Sequence, residues 1–228
     1  MDRGLHRTLT ALVILHASLI IGVAQPQPNW RDSLNTLNQL IAQQPASTDL
    51  RLRKAAVNIE LNQWEYAIDE YTRVLDMEPA NLSALYFRAY ANNHERSYDL
   101  ARRDYEAFLA RMPKHFEAQL GLAMVKRNLD RSQEALDDLN TLVQLFPDSA
   151  VAYAARAAFE AEHQQYDLAL FDWDEALRLQ PANTDFLVSK VDVLLAMKRK
   201  HEARRLLRQA IAAGTPAAAL TEWLERCK

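Results

Sequence analysis

Prolines recur at a fixed interval of 34 residues along most of this 228-residue chain. Because proline makes up about 5% of the residues of average proteins, four successive coincidences at one preset spacing have a chance probability on the order of 10⁻⁵. The chain therefore repeats one structural unit along its length. The prolines of the series are Pro45, Pro79, Pro113, Pro147 and Pro181.

Small and large side chains follow the same period. Alanine lies 12 and 24 residues before each of the last four prolines, and a bulky residue lies eight residues before all five. Small residues at fixed points indicate places where two helices cross too closely for a larger side chain. The alanines are Ala55, Ala67, Ala89, Ala101, Ala123, Ala135, Ala157 and Ala169, followed by Ala203; the bulky residues are Leu37, Tyr71, Tyr105, Leu139 and Trp173, followed by Leu207.

Between these markers the apolar residues have helical spacing. Ala67, Tyr71 and Val74 lie three or four positions apart, which gathers them onto one stripe of a helix. The proline ends the second helix of each unit because its ring blocks the preceding turn and it has no N–H to donate. Each unit is thus predicted to be two helices of about 14 residues joined by a short turn. Such a pair cannot bury its apolar stripe alone and must stack on its neighbours.

This pattern of alanine, bulky residue and proline resembles the tetratricopeptide repeat (TPR) family. The resemblance implies an all-α fold, a right-handed α-solenoid of stacked helix-turn-helix units with a capping helix at each end. Departures from the family pattern include Asn58, Asn92, Lys126, Glu160 and Leu194 at the mid-helix aromatic position. The predicted segments are an N-terminal capping helix at 25–47, repeats at 48–81, 82–115, 116–149, 150–183 and 184–215, and a C-terminal capping helix at 216–228.

The first 24 residues are typical of a secretory signal peptide. Arg3 and Arg7 precede an apolar run from Leu9 to Val23, and small residues at 22 and 24 suit cleavage after Ala24. The run spans about 15 residues, whereas a helix needs about 20 to cross a bilayer, so no integral membrane segment is expected after cleavage. We therefore expect an exported protein, periplasmic or extracellular. A buried hydrophobic first helix is the alternative interpretation.

The composition argues against several classes of function. Four glycines and a single cysteine, Cys227, exclude glycine-rich phosphate loops, disulfide frameworks and cysteine-based metal sites. A formal net charge of −3 gives no general attraction to nucleic acid. The histidines lack metal-ligand spacing, and no serine or threonine lies in a nucleophile elbow. The sequence therefore predicts no catalytic residue, no metal and no cofactor.

Opposite charges recur 16 residues apart in three units, as Lys54 with Glu70, Arg88 with Asp104, and Arg156 with Asp172. An acid–base pair in an active site is needed only once, so recurring pairs are interpreted as ion pairs between the two helices of a unit.

The resemblance implies that a protein or peptide partner binds in a concave groove lined by the first helices. Tyr86, Tyr90 and Met124 are the expected anchors, because tyrosine offers a large contact area and methionine adapts its shape. The alternative is that these residues only pack against neighbouring helices. The Lys and Asn pair with which related proteins hold chaperone tails has no counterpart here. The predicted groove residues are Tyr86, Tyr90, Asn93, His94, Leu120, Met124, Arg127 and Asp192.

Six basic residues within eleven form a possible basic patch near the C-terminus. It could meet an acidic protein surface, a phospholipid surface or nucleic acid. The alternative is that it is the solvated outer face of a helix, since no aromatic residues are interleaved for base stacking. The chain is thus predicted to be a non-enzymatic scaffold; the alternative is a structural spacer or a homo-oligomerising element. The patch comprises Lys198, Arg199, Lys200, Arg204, Arg205 and Arg208.

Overall fold

A computed structural model describes residues 29–228, which form twelve α-helices and no strand. The predicted signal peptide, residues 1–24, lies outside the described residues. The helices are α1 (Trp30–Gln43), α2 (Thr48–Glu60), α3 (Trp64–Met77), α4 (Leu82–His94), α5 (Tyr98–Leu109), α6 (Phe116–Asn128), α7 (Ser132–Leu145), α8 (Ala150–Glu162), α9 (Tyr166–Leu179), α10 (Thr184–Ala196), α11 (Lys200–Ala212) and α12 (Thr221–Arg226), with a 3₁₀ turn at Ala217–Leu220.

The described chain divides into an N-terminal unit, residues 29–138, and a C-terminal unit, residues 139–228. In the N-terminal unit each helix from α1 to α6 packs against the next, and the first helices of successive repeats, α2, α4 and α6, also contact one another in order. In the C-terminal unit α8 to α11 pack in sequence and α12 packs on α10 and α11. The prediction of an all-α solenoid of helix-turn-helix units is confirmed.

The recurring alanines are completely buried, as the close packing of helices requires. All nine have a solvent exposure of 0%, and the six bulky residues of the series are at most 8% exposed. Gly121 shows how tight this packing is, because a Cβ atom placed there would lie 2.7 Å from Cζ of Tyr105. Real side-chain carbons do not approach so closely, so only glycine fits at this position without moving Tyr105. Small and large side chains therefore pack against one another in the core, as predicted.

The prolines end second helices as expected, since α1, α3, α7 and α9 each stop two residues before a proline of the series. First helices begin with a side-chain cap that accepts a hydrogen bond from the backbone N–H three residues on, which satisfies one of the free donors of the first turn. The caps of α2, α4, α6, α8 and α10 are Ser47, Asn81, His115, Ser149 and Asn183, again 34 residues apart.

The predicted ion pairs form. Lys54 lies 2.9 Å from Glu70 and joins two helices, whereas the two arginine pairs each join three. Arg88 donates two hydrogen bonds of 2.8 Å to the Asp104 carboxylate and a third, of 3.2 Å, to Oγ1 of Thr72 in the preceding repeat. Arg156 repeats the arrangement with Asp172, at 2.6 and 2.8 Å, and with Asn140, at 3.0 Å. Each guanidinium therefore ties the two helices of its own repeat to the second helix of the repeat before it.

The turn inside each repeat has left-handed backbone without glycine. Five residues 34 positions apart have φ between 56° and 62°, and the N–H after each bonds to a carbonyl five residues earlier. This closes the first helix, as left-handed caps do. Non-glycine residues are strained there, asparagine and aspartate least. The residues are Asn62, Arg96, Asp130, Gln164 and Lys198.

Replacing a strained turn residue by glycine should stabilise the fold. We expect Gln164→Gly to raise the free energy of unfolding by about 0.5–1 kcal/mol, because relief of the left-handed strain exceeds the added entropy of the unfolded chain. Asn62→Gly is the matched control and should change little, since asparagine tolerates this conformation. Urea unfolding followed by circular dichroism measures both; a loss of stability in Gln164→Gly would contradict the expectation.

Candidate functional site

The predicted groove residues of the N-terminal unit lie on two consecutive first helices. Tyr86, Tyr90, Asn93 and His94 are on α4, and Asn93 and His94 lie three and four residues after Tyr90, so the four share one face of that helix. Leu120, Met124 and Arg127 follow the same intervals on α6. Because α4 contacts both α2 and α6, these residues belong to one surface, called here the first-helix face.

Tyr86 is part of the packing between repeats. Its ring centroid lies 5.4 Å from that of Phe108, 5.2 Å from His115 and 6.1 Å from Tyr105. Burial raises the pKa of Tyr86 to about 12, with help from the negative charge of Glu117. The side chain nevertheless remains half-buried, not fully enclosed. Tyr86 therefore combines the two roles that the sequence left open, packing against neighbours and exposing part of its surface.

Tyr90 and His94 form a second group of rings with Trp64, a residue that sequence reasoning missed. The rings of Trp64 and His94 are stacked with centroids 4.0 Å apart and planes 5° apart. Tyr90 stands nearly perpendicular to both, at 4.6 Å from His94 and 5.9 Å from Trp64. Trp64 and Tyr90 are half-buried and His94 is exposed. We call Trp64, Tyr90 and His94 the aromatic cluster.

The other predicted residues of the first-helix face differ in their exposure. Leu120 is buried at 6%, so it supports the surface from beneath. Met124 is half-buried. Asn93 is half-buried too, and among the described residues its Oδ1 atom has no hydrogen-bond partner. Arg127 donates a hydrogen bond of 3.2 Å to Oδ1 of Asn128.

Asp192, the last predicted groove residue, belongs to the C-terminal unit and holds the C-terminal helix. Its carboxylate accepts hydrogen bonds from Nε1 of Trp223, at 3.1 Å, and from Arg226, at 2.6 Å. Burial raises the pKa of Asp192, and Arg226 opposes that shift. The structure thus gives Asp192 a packing role, and its binding role stays a prediction.

The residues of the predicted basic patch differ in their contacts and exposure. Arg199 is paired with Glu202 through two bonds of 2.7 and 2.8 Å, and Arg204 donates to the backbone carbonyl of Cys227. Lys198 and Lys200 are exposed at the start of α11. An open recess is lined by His201, Arg204, Arg205, Arg208, Gln209 and Ala212.

Glu160 is a buried acid at the mid-helix position where the family pattern has an aromatic residue. It is 6% exposed, and among the described residues its Oε2 atom has no hydrogen-bond partner. Burial raises the pKa of Glu160 to about 7, the nearby Asp172 carboxylate adds to the shift, and Arg156 opposes it. The sequence already showed that residue 160 departs from the family pattern. The raised pKa of Glu160 could not be predicted, because it depends on burial in the folded chain.

Residues 29–228 show neither a cluster of metal ligands nor a membrane-spanning helix. No three His, Cys, Asp or Glu side chains in this part of the chain are grouped so that they could hold a metal ion. None of its helices is both long enough and apolar enough to span a membrane.

Comparison with known proteins identifies the repeats. The tetratricopeptide repeat family model matches residues 57–105 and 94–150. Residues 57–150 therefore contain tetratricopeptide repeats, and the resemblance is confirmed for this part of the chain. These repeats form scaffolds that suit interaction between proteins, so a protein or peptide is the partner class that fits them.

Curated relatives match over part of their own length. A DnaJ homolog subfamily C member 7 homolog from Dictyostelium discoideum is 21% identical over 75% of this chain and 41% of its own. The small glutamine-rich tetratricopeptide repeat-containing protein 2 of Saccharomyces cerevisiae is 26% identical over 68% of this chain and 44% of its own. The serine/threonine-protein phosphatase T of Aspergillus oryzae matches over 22% of its length, at 27% identity and 47% coverage of this chain. The chain spans less than half of each relative.

Solved structures share the fold. The TPR protein YrrB, described as having an unusual peptide-binding site, superposes with a TM-score of 0.60 at 18% identity, covering 83% of this chain and 98% of YrrB. MamA from Desulfovibrio magneticus RS-1 superposes with a TM-score of 0.65 at 15% identity, covering 68% of this chain and 88% of MamA. At these identities the likeness concerns the fold alone.

The buried acid Glu160 should make stability depend on pH. Its pKa of about 7 in the folded chain lies above the ordinary value of 4.5, so folding favours the protonated form. The resulting stabilisation is fully present below about pH 4.5 and is lost as the pH rises through about 7. We expect the free energy of unfolding of the wild type to fall between pH 5 and pH 8 by about 1–2 kcal/mol more than that of Glu160→Gln, after allowance for solvent screening.

Urea unfolding of both proteins at a series of pH values measures this difference. Part of the slope will remain in Glu160→Gln, because burial also raises the pKa of Asp138 and of Asp192. Asp138→Asn is a useful comparison, since it removes a different titration from the N-terminal unit. Identical pH profiles for the wild type and Glu160→Gln would contradict the assignment.

Proposed function

We propose that this chain is a non-enzymatic, exported TPR scaffold that binds a protein or peptide partner on the first-helix face of its N-terminal unit. The observation that carries the proposal is the aromatic cluster, three rings on or beside α4 that remain partly open to solvent. Large aromatic side chains in such positions dominate the energy of protein interfaces. The fold supplies a rigid base for them, because α4 is held between α2 and α6.

The chemistry of this face suits contact, not catalysis. Burial raises the pKa values of both Tyr86 and Tyr90, so both hydroxyls keep their protons at neutral pH and can donate hydrogen bonds. A tyrosine with a raised pKa is a poor general base. The peptide-binding site named for YrrB supports the same partner class, although the likeness to YrrB is one of fold.

The binding contacts would be shared among the half-exposed residues. Tyr90 and Trp64 would supply the largest contact areas, with His94 beside them. Tyr86 would contribute its exposed part, and Met124 on α6 would adapt to the partner's shape. Leu120 is buried and would act by holding the surface in place. The energy is therefore expected to concentrate at the aromatic cluster, as it does at interface hot spots.

Export is proposed from the sequence. Arg3 and Arg7, the apolar run after them and the small residues before Gln25 are the three parts of a signal peptide. A partner would then be met outside the cytoplasm, in the periplasm or the surrounding medium.

Photo-crosslinking can test the binding surface. A benzoylphenylalanine probe at Ala56, an exposed residue of α2, should capture a partner in the native compartment. We expect Tyr90→Ala to weaken binding by at least about 2 kcal/mol, about thirtyfold, because it removes a ring from the aromatic cluster. The measurement is the yield of the cross-linked product from the two proteins at equal expression.

Tyr66→Ala is the matched control, since Tyr66 is a tyrosine that is 65% exposed on the second helix α3. Its product should match that of the wild type. Equal losses in the two variants, or no loss in Tyr90→Ala, would refute binding at the first-helix face. A product with twice the mass of the chain would instead identify a second copy as the partner and favour the homo-oligomeric alternative.

Export can be tested separately by intact mass. We expect the protein purified from its native source to begin at Gln25, because cleavage should follow Ala24. Ala24→Leu replaces the small residue at the cleavage step and should yield the longer, uncleaved chain. Native protein that retains its first 24 residues would overturn the proposed processing.

A further inference from the structure

In the aromatic cluster two rings are stacked, and the third stands at an angle to both. Trp64 and His94 are parallel and in contact, and Tyr90 stands at 65° to His94 and 68° to Trp64. Trp64 lies at the start of α3, whereas Tyr90 and His94 lie on the second half of α4, so two repeats contribute to it. All three rings keep part of their surface open to solvent.

An exposed carboxylate lies near this cluster, because Glu60 ends α2, which contacts α4, and precedes Trp64 by four residues. Burial raises the pKa of Tyr90, and the carboxylate of Glu60, the exposed last residue of α2, raises it further. Burial lowers the pKa of His94, while Glu95 opposes that shift. Tyr90 is thus affected by the carboxylate of Glu60, and His94 by that of Glu95. The rings thus lie near an exposed negative charge.

We propose that the aromatic cluster, together with Glu60, binds a basic side chain, arginine or lysine, of the partner segment. Aromatic faces attract cations through their quadrupole, and a nearby carboxylate adds direct attraction. An acidic side chain or a terminal carboxylate would meet repulsion from Glu60 and would gain nothing from the π faces. The inference rests on the proposed function, and it specifies the chemistry of the partner at this point of the first-helix face.

Small model compounds can isolate this specificity. The probe is Nα-acetyl-arginine methylamide, and its uncharged counterpart is Nα-acetyl-citrulline methylamide, which has nearly the same shape. The chain has four tryptophans, so Trp64→Phe assigns the indole N–H signal of Trp64 in a ¹⁵N spectrum of the whole mature protein. We expect the arginine compound to shift this signal in a saturable manner and the citrulline compound to bind about tenfold more weakly.

Two variants test the assignment of the negative charge. Glu60→Gln should weaken binding of the arginine compound by about two- to fivefold, the range for an exposed ion pair. Glu162→Gln is the matched control, because residue 162 occupies the last position of the first helix α8, as residue 60 does in α2. It removes the same charge from a first helix of the C-terminal unit and should leave the Trp64 response unchanged.

The proposal is overturned if citrulline binds as well as arginine, if Glu60→Gln behaves like Glu162→Gln, or if the Trp64 signal does not respond. These results are separable from those of the crosslinking experiment. If a partner cross-links in a Tyr90-dependent manner but the protein binds the arginine and citrulline compounds equally, the proposed binding surface stands and its specificity for a cation is refuted. If the arginine compound binds selectively but no partner cross-links in a Tyr90-dependent manner, the cation site stands and the proposed scaffold function is refuted.

Discussion

Close approach of helices at buried alanines is the constraint on which the rest of this structure depends. Each recurring alanine is fully buried, and each one on a second helix is followed four residues later by a bulky side chain. A single pair of helices leaves its apolar stripe uncovered, so stability comes from contact with the next pair. Burial of about 0.8 kcal/mol per methylene at every crossing makes these contacts the main source of stability. A larger residue at an alanine position would separate two helices.

Ion pairs add orientation to this packing. The guanidinium of Arg88 reaches Asp104 in its own repeat and Thr72 in the repeat before, and Arg156 does the same with Asp172 and Asn140. A buried pair contributes little net free energy, because both charges lose their hydration. Its bonds to three helices nevertheless have defined directions, which apolar contacts lack. We interpret these pairs as devices that fix how one repeat is rotated against the next.

The sequence contained most of the fold, because small residues, bulky residues and prolines each mark a position that packing requires. It did not reveal the left-handed turns. Gln164 and Lys198 have left-handed backbone, a conformation that glycine usually marks in a sequence. The hydrogen bonds of the turn hold these residues in it. Stacking of the repeats thus keeps these residues in a backbone conformation that they do not prefer on their own.

The candidate site was only partly predictable for a related reason. Tyr90 and His94 follow from their positions on a first helix, whereas Trp64 begins a second helix and lies outside the expected groove positions. It reaches the cluster because α3 packs against α4. Asp192 shows the converse, since a residue at a groove position is used to hold the C-terminal helix. Register predicts which face a residue occupies, and packing between repeats decides what it contacts.

The two units therefore differ in what their first helices can contribute to binding. The positions of Tyr86 and Tyr90 in α4 correspond to Ala154 and Ala158 in α8, which offer only a methyl group. An extended partner would gain most of its binding energy from the N-terminal unit, since energy at interfaces concentrates at large aromatic side chains. Within that unit, contact with more than one first helix would raise affinity through effective concentration more than through new anchors. Specificity would consequently be set where the rings are, beside Glu60, and the remaining repeats would hold that surface rigid.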